Sequence, residues 1–232
     1  DREIGRLTFG VMTDTRPAIE ERQAEPKRAY VSLRDTLSLD FGLATLLATN
    51  EGDLLGRGWL QKLQRFDHTL TKIARHRQRS GDEPRTSARY RALVRTIRGF
   101  IRTEVNRILN RLIHLKRPGH LVVERLDFRC PGLSRHLNRI IQNCGRSVFR
   151  AKLKALEEEF GITHEEVNAA YTSQTCACCG YVDKRNRPDR QTFRCLWCGH
   201  KKHADVNAAE NIGARRSDPI GSRWVGRRRI LA

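Results

Sequence analysis

The 232-residue sequence predicts an α/β fold with one central mixed sheet. Three observations support this prediction. Short β-rich runs come first, long stretches with helical periodicity follow them, and further strands then alternate with helices. A cysteine-rich insert separates the last predicted strand from the last predicted helix.

The first strands are predicted close together in the chain. TLSLDFGLATLLATN (36–50) contains two β-rich runs, EGD supplies a turn, and LLGRGW (54–59) is typical of a third strand. These three segments predict a meander. The residues before them mix short apolar pieces with charges and prolines, so we expect 1–34 to be a linker or the tail of a further element.

Two apolar stripes with helical spacing predict a long basic helical hairpin over 60–117. The first stripe consists of Leu60, Leu63, Phe66, Leu70 and Ile73. The segment RSGDEPRTS (79–87) interrupts the pattern. The second stripe consists of Leu93, Ile97, Ile101, Val105, Ile108, Leu112 and Leu115.

Alternating elements follow the hairpin. LVVE (121–124) predicts a buried strand, 131–145 a loop or short helix, 147–161 an amphipathic helix, and THEEVNAAYTS (163–173) another strand. The insert spans 172–203, and DVNAAENIGARR (205–216) predicts the last helix. This order of elements is that of a ribonuclease H-like fold.

The charge indicates a polyanionic partner. The chain has 45 Lys and Arg against 26 Asp and Glu, a net charge of +19. Between positions 57 and 117 there are 17 basic residues and four acidic ones. Such a concentration favours nucleic acid, and the low aromatic content of 6% implies that phosphate contacts supply most of the affinity. No apolar run approaches the roughly 20 residues that span a bilayer, so we expect no membrane partner.

Cysteine spacing predicts a structural zinc ion. Two CxxCG motifs contribute Cys176, Cys179, Cys195 and Cys198, and two intervening residues let one tight turn aim both thiolates at one tetrahedral metal. The 15 residues between the pairs suit the two hairpins of a zinc ribbon. Four thiolates close the coordination sphere, which excludes catalysis by this ion.

Neighbouring residues of the ribbon have less specific interpretations. Cys178 breaks the paired pattern and is expected not to bind the metal. His200 and His203 are expected to be solvated or to face phosphate. Phe193 and Trp197 either stack on bases or fill the small ribbon core, and the core is favoured.

Three acidic residues occupy positions that suit a metal-dependent nuclease. Asp40 lies in an apolar strand, Glu124 ends LVVE, and Asp205 opens the last helix. Each has an ordinary alternative: a turn residue at the strand end, an exposed strand terminus, and a helix N-cap. As a cluster they would supply oxygen ligands to two Mg²⁺ ions roughly 3.5–4 Å apart. Five other acids are expected at the solvated surface: Asp127, Glu157, Glu158, Glu159 and Asp183.

The sequence also contains SLDFGLATLLATNEGD, VVERLDF, YTSQTCACCG and CLWCGHKKHADVNAAENI, in that order. These stretches resemble the RuvC-like nuclease domain of transposon-encoded TnpB proteins and of their relatives, the type V CRISPR effector nucleases. The likeness covers 35–215. There are two departures from the family pattern: Ser38 replaces a common Gly, and Ala204 stands where the transposon proteins often have Arg, which favours the CRISPR branch.

The resemblance implies a division of the chain and roles for its acids. Asp40, Glu124 and Asp205 would bind the catalytic metals, and the ribbon would help to hold or load the nucleic-acid strand. The implied segments are a linker or tail of a missing N-terminal lobe (1–34), a RuvC-like core including the hairpin (35–171), the ribbon (172–203), the last helix (204–216) and a basic tail (217–232).

The predicted function is that of the nuclease portion of an RNA-guided DNA endonuclease with a two-Mg²⁺ mechanism. Its partners would be a guide RNA, target DNA, and a recognition lobe on the same longer chain or on a separate subunit. We expect a cytoplasmic location in a prokaryotic cell, at the nucleoid when the protein is bound to DNA. Two alternatives remain: a guided DNA-binding protein with little or no cleavage, and an unguided zinc-ribbon nucleic-acid-binding protein.

Overall fold

A computed structural model describes residues 30–42, 45–124 and 132–216, together with two short strands at 224–225 and 228–229. Most of the predicted N-terminal linker and of the basic tail lies outside these residues, as do Asp127 and Cys130.

The main sheet has five strands in the order β3-β2-β1-β4-β5. They are β1 (Arg34–Asp40), β2 (Leu47–Thr49), β3 (Leu54–Leu55), β4 (Pro118–Glu124) and β5 (Thr163–Val167). Strands β1, β2 and β3 form the predicted antiparallel meander, whereas β1, β4 and β5 run parallel to one another. The α/β class with a mixed sheet is confirmed.

The two central strands are covered on both faces. Four consecutive residues of β1, from Leu37 to Asp40, are buried, and so are Leu121, Val122 and Val123 of β4. A continuous buried run is expected where a parallel pair lies between layers of helices. The sheet therefore excludes water right up to the carboxyl ends of β1 and β4.

The basic hairpin consists of α1 (Trp59–Arg79) and α2 (Ala88–Lys116). Its seam contains stacked aromatic rings, with the centroid of Phe100 lying 5.1 Å from Trp59 and 5.5 Å from Phe66. Between the helices Gly81 adopts a positive φ, and the Ser87 side chain caps α2 by accepting a hydrogen bond from the Tyr90 amide.

One residue of the predicted α2 stripe does not join the core. Leu115 is 55% exposed, because the helix ends at Lys116 beyond the surface that the stripe covers. No helix among the described residues is long and apolar enough to cross a membrane.

The third helix is longer than the sequence predicted. α3 (Arg135–Phe160) is continuous, so the expected loop or short helix at 131–145 is wrong for most of its length. Its buried stripe runs through Leu137, Ile141, Gly145 and Val148 at helical spacing, and burial of this face outweighs the low helix propensity of Gly145.

The strand predicted at 163–173 is shorter than expected. β5 ends at Val167, and the Asn168 side chain then accepts a hydrogen bond of 2.9 Å from the Ala170 amide, which is an Asx turn. The following residues form turns that lead into the cysteine-rich insert.

The insert contains a small antiparallel pair, β6 (Thr192–Arg194) and β7 (Lys201–His203), and an isolated bridge between Thr175 and Val182. Gly180 and Gly199 follow the second cysteine of each pair at φ values of 74° and 75°, which L side chains rarely adopt. α4 (Ala204–Ala214) comes directly after β7, and β8 (Trp224–Val225) pairs with β9 (Arg228–Arg229).

Candidate active site

Two of the predicted acids end neighbouring parallel strands. Asp40 is the last residue of β1 and Glu124 is the last residue of β4. The register pairs Leu39 with Val123, so Asp40 and Glu124 occupy the next position on both strands. Parallel strands in register point equivalent side chains to the same face, and a hydrogen bond joins these two carboxyl groups.

The third acid reaches this edge of the sheet from α4, which packs against β1, β2 and β4. Asp205 is the second residue of that helix. A Cβ added at Gly42, two residues beyond Asp40, would lie 3.3 Å from Asp205 Oδ2 and 2.7 Å from the Thr45 carbonyl oxygen. The absence of a side chain at position 42 therefore leaves room for the Asp205 carboxylate beside the end of β1.

Burial and mutual repulsion raise the pKa values of these acids. Asp40 is 8% exposed and Asp205 is 5% exposed. Burial is the main cause of the raised pKa of Asp40, and the negative charges of Glu124 and Asp205 raise it further. Burial likewise raises the pKa of Asp205. Buried carboxylates that repel one another form a site that is stabilised by a cation.

An arginine that the sequence analysis did not single out completes this group. The Arg187 guanidinium, which belongs to the insert, donates a hydrogen bond of 2.9 Å from Nη2 to Asp205 Oδ1. Its charge opposes the rise in pKa of both Asp40 and Asp205. Nothing in the local pattern distinguishes it from its neighbours Arg185 and Arg190.

The alternative that Asp205 is a simple N-cap is wrong. His203 occupies the cap position, and its Nδ1 accepts a hydrogen bond of 3.3 Å from the Asp205 amide. The Asp205 side chain is consequently not required for capping, and it is directed instead towards Arg187 and the sheet edge. His203 is half-buried and has this structural contact, in contrast to the expected solvated or phosphate-facing position.

The four predicted zinc ligands lie together. The sulfur atoms of Cys176 and Cys198 are 3.7 Å apart, those of Cys179 and Cys195 are 3.6 Å apart, and all four lie within 4.8 Å of one another. A tetrahedral zinc ion with Zn–S bonds of about 2.3 Å requires sulfur separations of about 3.8 Å. The thiol geometry therefore fits zinc.

Within the described part of the chain, this thiol group is the only set of three or more His, Cys, Asp or Glu ligand atoms that is so compact. The three carboxylates do not form such a set. A wider spacing suits a pair of ions roughly 3.5–4 Å apart, because the ligands then lie around both ions and not around one.

The environment of the cluster differs from one thiol to the next. Burial raises the pKa of Cys176, whereas a backbone hydrogen bond from His200 lowers the pKa of Cys198 to about 7. Cys178 is exposed and lies outside the cluster, as expected.

The two aromatic residues of the insert have opposite environments. Phe193 is fully buried and packs with Cys176, Cys195 and Ala204, so its expected core position is confirmed. Trp197 is 78% exposed with its ring centroid 6.1 Å from that of Tyr181, so a core position is wrong for this residue.

Two asparagines of α4 join the insert to the sheet. The Asn207 amide donates to the Thr175 carbonyl at 2.7 Å and accepts from the Ala177 amide at 3.0 Å. The Asn211 amide donates to the carbonyls of Thr172 and Thr175 at 2.9 and 2.8 Å. Sequence reasoning missed these roles, although two Asn at i and i+4 on an Ala-rich helix are a usable signal.

The insert also contacts a second carboxylate directly. The Thr172 hydroxyl donates a hydrogen bond of 3.3 Å to Glu124 Oε2. With Arg187 on Asp205, two of the three acids are therefore held by residues that flank or belong to the insert.

The remaining acids are mostly where they were expected. Glu157, Glu158 and Glu159 are exposed on α3. Asp183 is the exception, since it is only 9% exposed and binds Arg185, whose hydrogen bonds lower the pKa of Asp183.

Comparisons with known proteins identify the class first. The fold is similar to that of a Cas12f1 in the cryo-EM structure of a Cas12f1-sgRNA-target DNA complex, with a TM-score of 0.55 and 20% identity over 78% of this chain and 50% of that one. Residues 147–212 match the family model of the Cas12f1-like TNB domain.

Two relatives refine this result. The CRISPR-associated endodeoxyribonuclease Cas12f1 of Sulfoacidibacillus thermotolerans is 37% identical over 83 residues, covering 36% of this chain and 20% of that protein. A TnpB-like protein of Aquifex aeolicus is 38% identical over 82 residues, covering 34% and 27% respectively. The matched segments thus span about a quarter or less of each relative. Together the comparisons support the assignment of this chain to the TnpB/type V effector family, and the resemblance predicted from the sequence is confirmed.

Proposed function

We propose that this chain carries the nuclease portion of an RNA-guided DNA endonuclease, in which a ribonuclease H-like (RuvC) core cuts DNA that a guide RNA has opened. One observation carries the proposal: Asp40, Glu124 and Asp205, which are remote in sequence, form one electrostatically coupled group at the edge of the sheet. The related proteins named above include an endodeoxyribonuclease and a complex with guide RNA and target DNA, which supports these partners.

The carboxylates suit Mg²⁺, because hard oxygen ligands are what this ion prefers and their mutual repulsion favours a bound cation. When bound, a Mg²⁺ pair would activate the attacking water and stabilise the leaving oxygen. Asp40 and Glu124 would hold the metals from the sheet, and Asp205 from α4.

The other residues near the site position these acids. The Arg187 guanidinium orients Asp205 and adds a cation beside it, and Thr172 orients Glu124 through its hydroxyl. In this proposal zinc on the four thiols is structural and keeps Arg187 within reach of Asp205. The proposal also includes a recognition lobe, on the same chain or on another subunit, and a cytoplasmic location.

Cleavage by the full-length guided complex tests the proposal. Asp40→Asn removes one charge with little change in shape, so we expect Mg²⁺-dependent cleavage of a labelled target to fall roughly a thousandfold, as when one preorganised charged group is lost. Glu159→Gln is the matched control, because Glu159 is exposed on α3.

Equal cleavage by the Asp40→Asn complex and the unaltered complex would refute the catalytic assignment. Binding of target without cleavage by the unaltered complex would favour the guided DNA-binding alternative. The relatively wide spacing of the carboxylates is the observation that keeps this alternative in the test. A full-length protein that carries no defined RNA would favour the unguided ribbon protein.

A further inference from the structure

A groove of about 820 Å³ separates α2 from α3, away from the carboxylate site. Its walls include six arginines and one histidine: Arg85, Arg91, Arg95, Arg98, Arg102, Arg139 and His136. None of the described residues that line it is acidic. The groove is therefore a concentrated positive surface that the carboxylate chemistry does not use.

Four of these arginines form a ladder on one face of α2. Arg91, Arg95, Arg98 and Arg102 are separated by four, three and four residues, which places them on the same side of a helix. At 1.5 Å per residue the ladder extends over about 16 Å. Arg139 of α3 faces the ladder from the opposite wall.

Most of these cations lack a carboxylate counter-ion within the described part of the chain. Among the described residues, Arg95, Arg98, Arg102 and Arg139 form no ion pair with a carboxylate. On the same hairpin Arg77 and Arg107 do pair with acids, Asp82 and Glu104. The groove consequently gathers cations whose charge no described acid neutralises.

The floor of the groove indicates which polyanion fits. Val94, Ile140 and Cys144 are its apolar residues, and Tyr90, the aromatic residue of the lining, is buried with its hydroxyl 3.4 Å from His136 Nδ1. An exposed ring on which single-stranded bases could stack is absent from the described lining. Regularly spaced guanidinium groups match a repeating phosphate backbone, and each can bind phosphate through two hydrogen bonds.

We propose that the groove between α2 and α3 binds the phosphodiester backbone of a nucleic-acid duplex without reading its sequence. The inference rests on the proposed function, since the duplex would be the hybrid of guide RNA and target DNA. It does not require cleavage, because the groove and the carboxylates belong to separate surfaces.

Binding measurements on the full-length protein test this inference. The groove variant Arg95→Gln, Arg98→Gln, Arg102→Gln is compared with the control variant Arg75→Gln, Arg79→Gln, Arg111→Gln. The control removes the same charge from exposed arginines of the same hairpin that do not line the groove. The probe is a fluorescent RNA–DNA hybrid of about 20 base pairs, the length of a guide–target duplex, and anisotropy is recorded from low to high salt.

We expect the groove variant to bind at least tenfold more weakly near physiological salt, with a salt slope that falls by about 0.9 for each phosphate that is no longer neutralised. The control variant is expected to change the affinity less than about threefold. Equal weakening by both variants, or unchanged binding by the groove variant, overturns the proposal. Poly-glutamate that competes as well as the hybrid would also overturn it, in favour of an acidic protein partner.

A footprint makes the test independent of any variant. Cys144 is half-buried in the groove, so a bound duplex is expected to slow its alkylation, measured by peptide mass spectrometry, at least fivefold. Exposed Cys178 is the internal control. An unprotected Cys144 at saturating hybrid overturns the proposal.

Further arms identify the duplex and separate the two proposals. A DNA duplex and a single strand of equal length show whether the groove prefers the hybrid; a groove effect confined to the single strand overturns the proposal. The same titrations are repeated with Asp40→Asn. Groove-dependent binding without cleavage by any complex refutes the nuclease function alone, whereas cleavage without a groove effect refutes this inference alone.

Discussion

The thiol cluster and the carboxylate cluster of this protein are built in opposite ways. The four thiols come from 23 consecutive residues, and two local turns bring them together. The three acids come from two strands and a helix, and they meet because β1 and β4 are parallel and in register while α4 packs across them. A local cluster needs only its own turns, whereas a distributed cluster needs the whole sheet.

The two clusters also depend on each other unequally. Arg187 and Thr172 extend from the insert to two of the acids. No corresponding contact from the acids to the thiols is found among the described residues. Disturbing the insert should therefore affect the acids, while disturbing an acid should leave the insert intact.

Loss of zinc is expected to have the largest effect. Cys195→Ser or a chelator removes a metal whose binding energy in small zinc domains is roughly 10 kcal/mol, so hydrogen exchange should accelerate over 172–212 while the β1–β3 meander stays protected. Cys178→Ser is the control, because this exposed thiol lies outside the cluster. Unchanged protection in the insert would show that it folds without metal.

Crowding the acids is the next largest change. Gly42→Ala places a methyl group 2.7 Å from the Thr45 carbonyl and 3.3 Å from Asp205 Oδ2. We expect a loss of about 1–3 kcal/mol in the free energy of unfolding and reduced cleavage. Exchange in the insert should not change.

Gly99→Ala provides the comparison in a thermal melt. An added Cβ at Gly99 in α2 meets nothing within 4 Å, so this variant should be as stable as the unaltered protein or slightly more stable. If the two substitutions gave equal melting temperatures, position 42 would not be the constrained point described above.

Charge repulsion among the acids predicts a pH dependence in the metal-free protein. The pKa of Asp40 is higher in the folded than in the unfolded state, so the folded protein binds more protons. Between about pH 4 and the raised pKa, stability should therefore fall by about 1.4 kcal/mol for each pH unit. Urea unfolding from about pH 4 to 8, with a chelator present, measures this slope.

Asp40→Asn should flatten this dependence, because the substituted amide does not titrate. Added Mg²⁺ should flatten it as well if the acids bind the ion. A slope that is identical in the variant would mean that Asp40 is not a source of the repulsion.

The smallest effect is expected on the surface of the insert. Trp197→Ala should change the stability of the insert by less than about 0.5 kcal/mol, since the side chain is already in water. Phe193→Ala should cost about 3–5 kcal/mol, because that ring fills the insert core. Zinc-release temperature measured by a colorimetric chelator separates the two variants.

Much of this organisation could be predicted from local pattern. The CxxCG spacing was sufficient for the thiol cluster, and apolar periodicity was sufficient for the hairpin of α1 and α2. Periodicity failed where local and tertiary preferences disagree. Gly145 suggested a break, yet α3 continues through it because its neighbours are buried, and β5 ends early because Asn168 starts a turn.

The sequence by itself determined the four thiols, the excess of basic residues and the identity of the three acids, since spacing and composition are properties of the chain alone. Only the tertiary structure decided that Arg187 meets Asp205, that Asn207 and Asn211 hold the insert, and that the arginine ladder of α2 faces α3. These contacts join residues far apart in the chain, and their partners are chosen by packing and register.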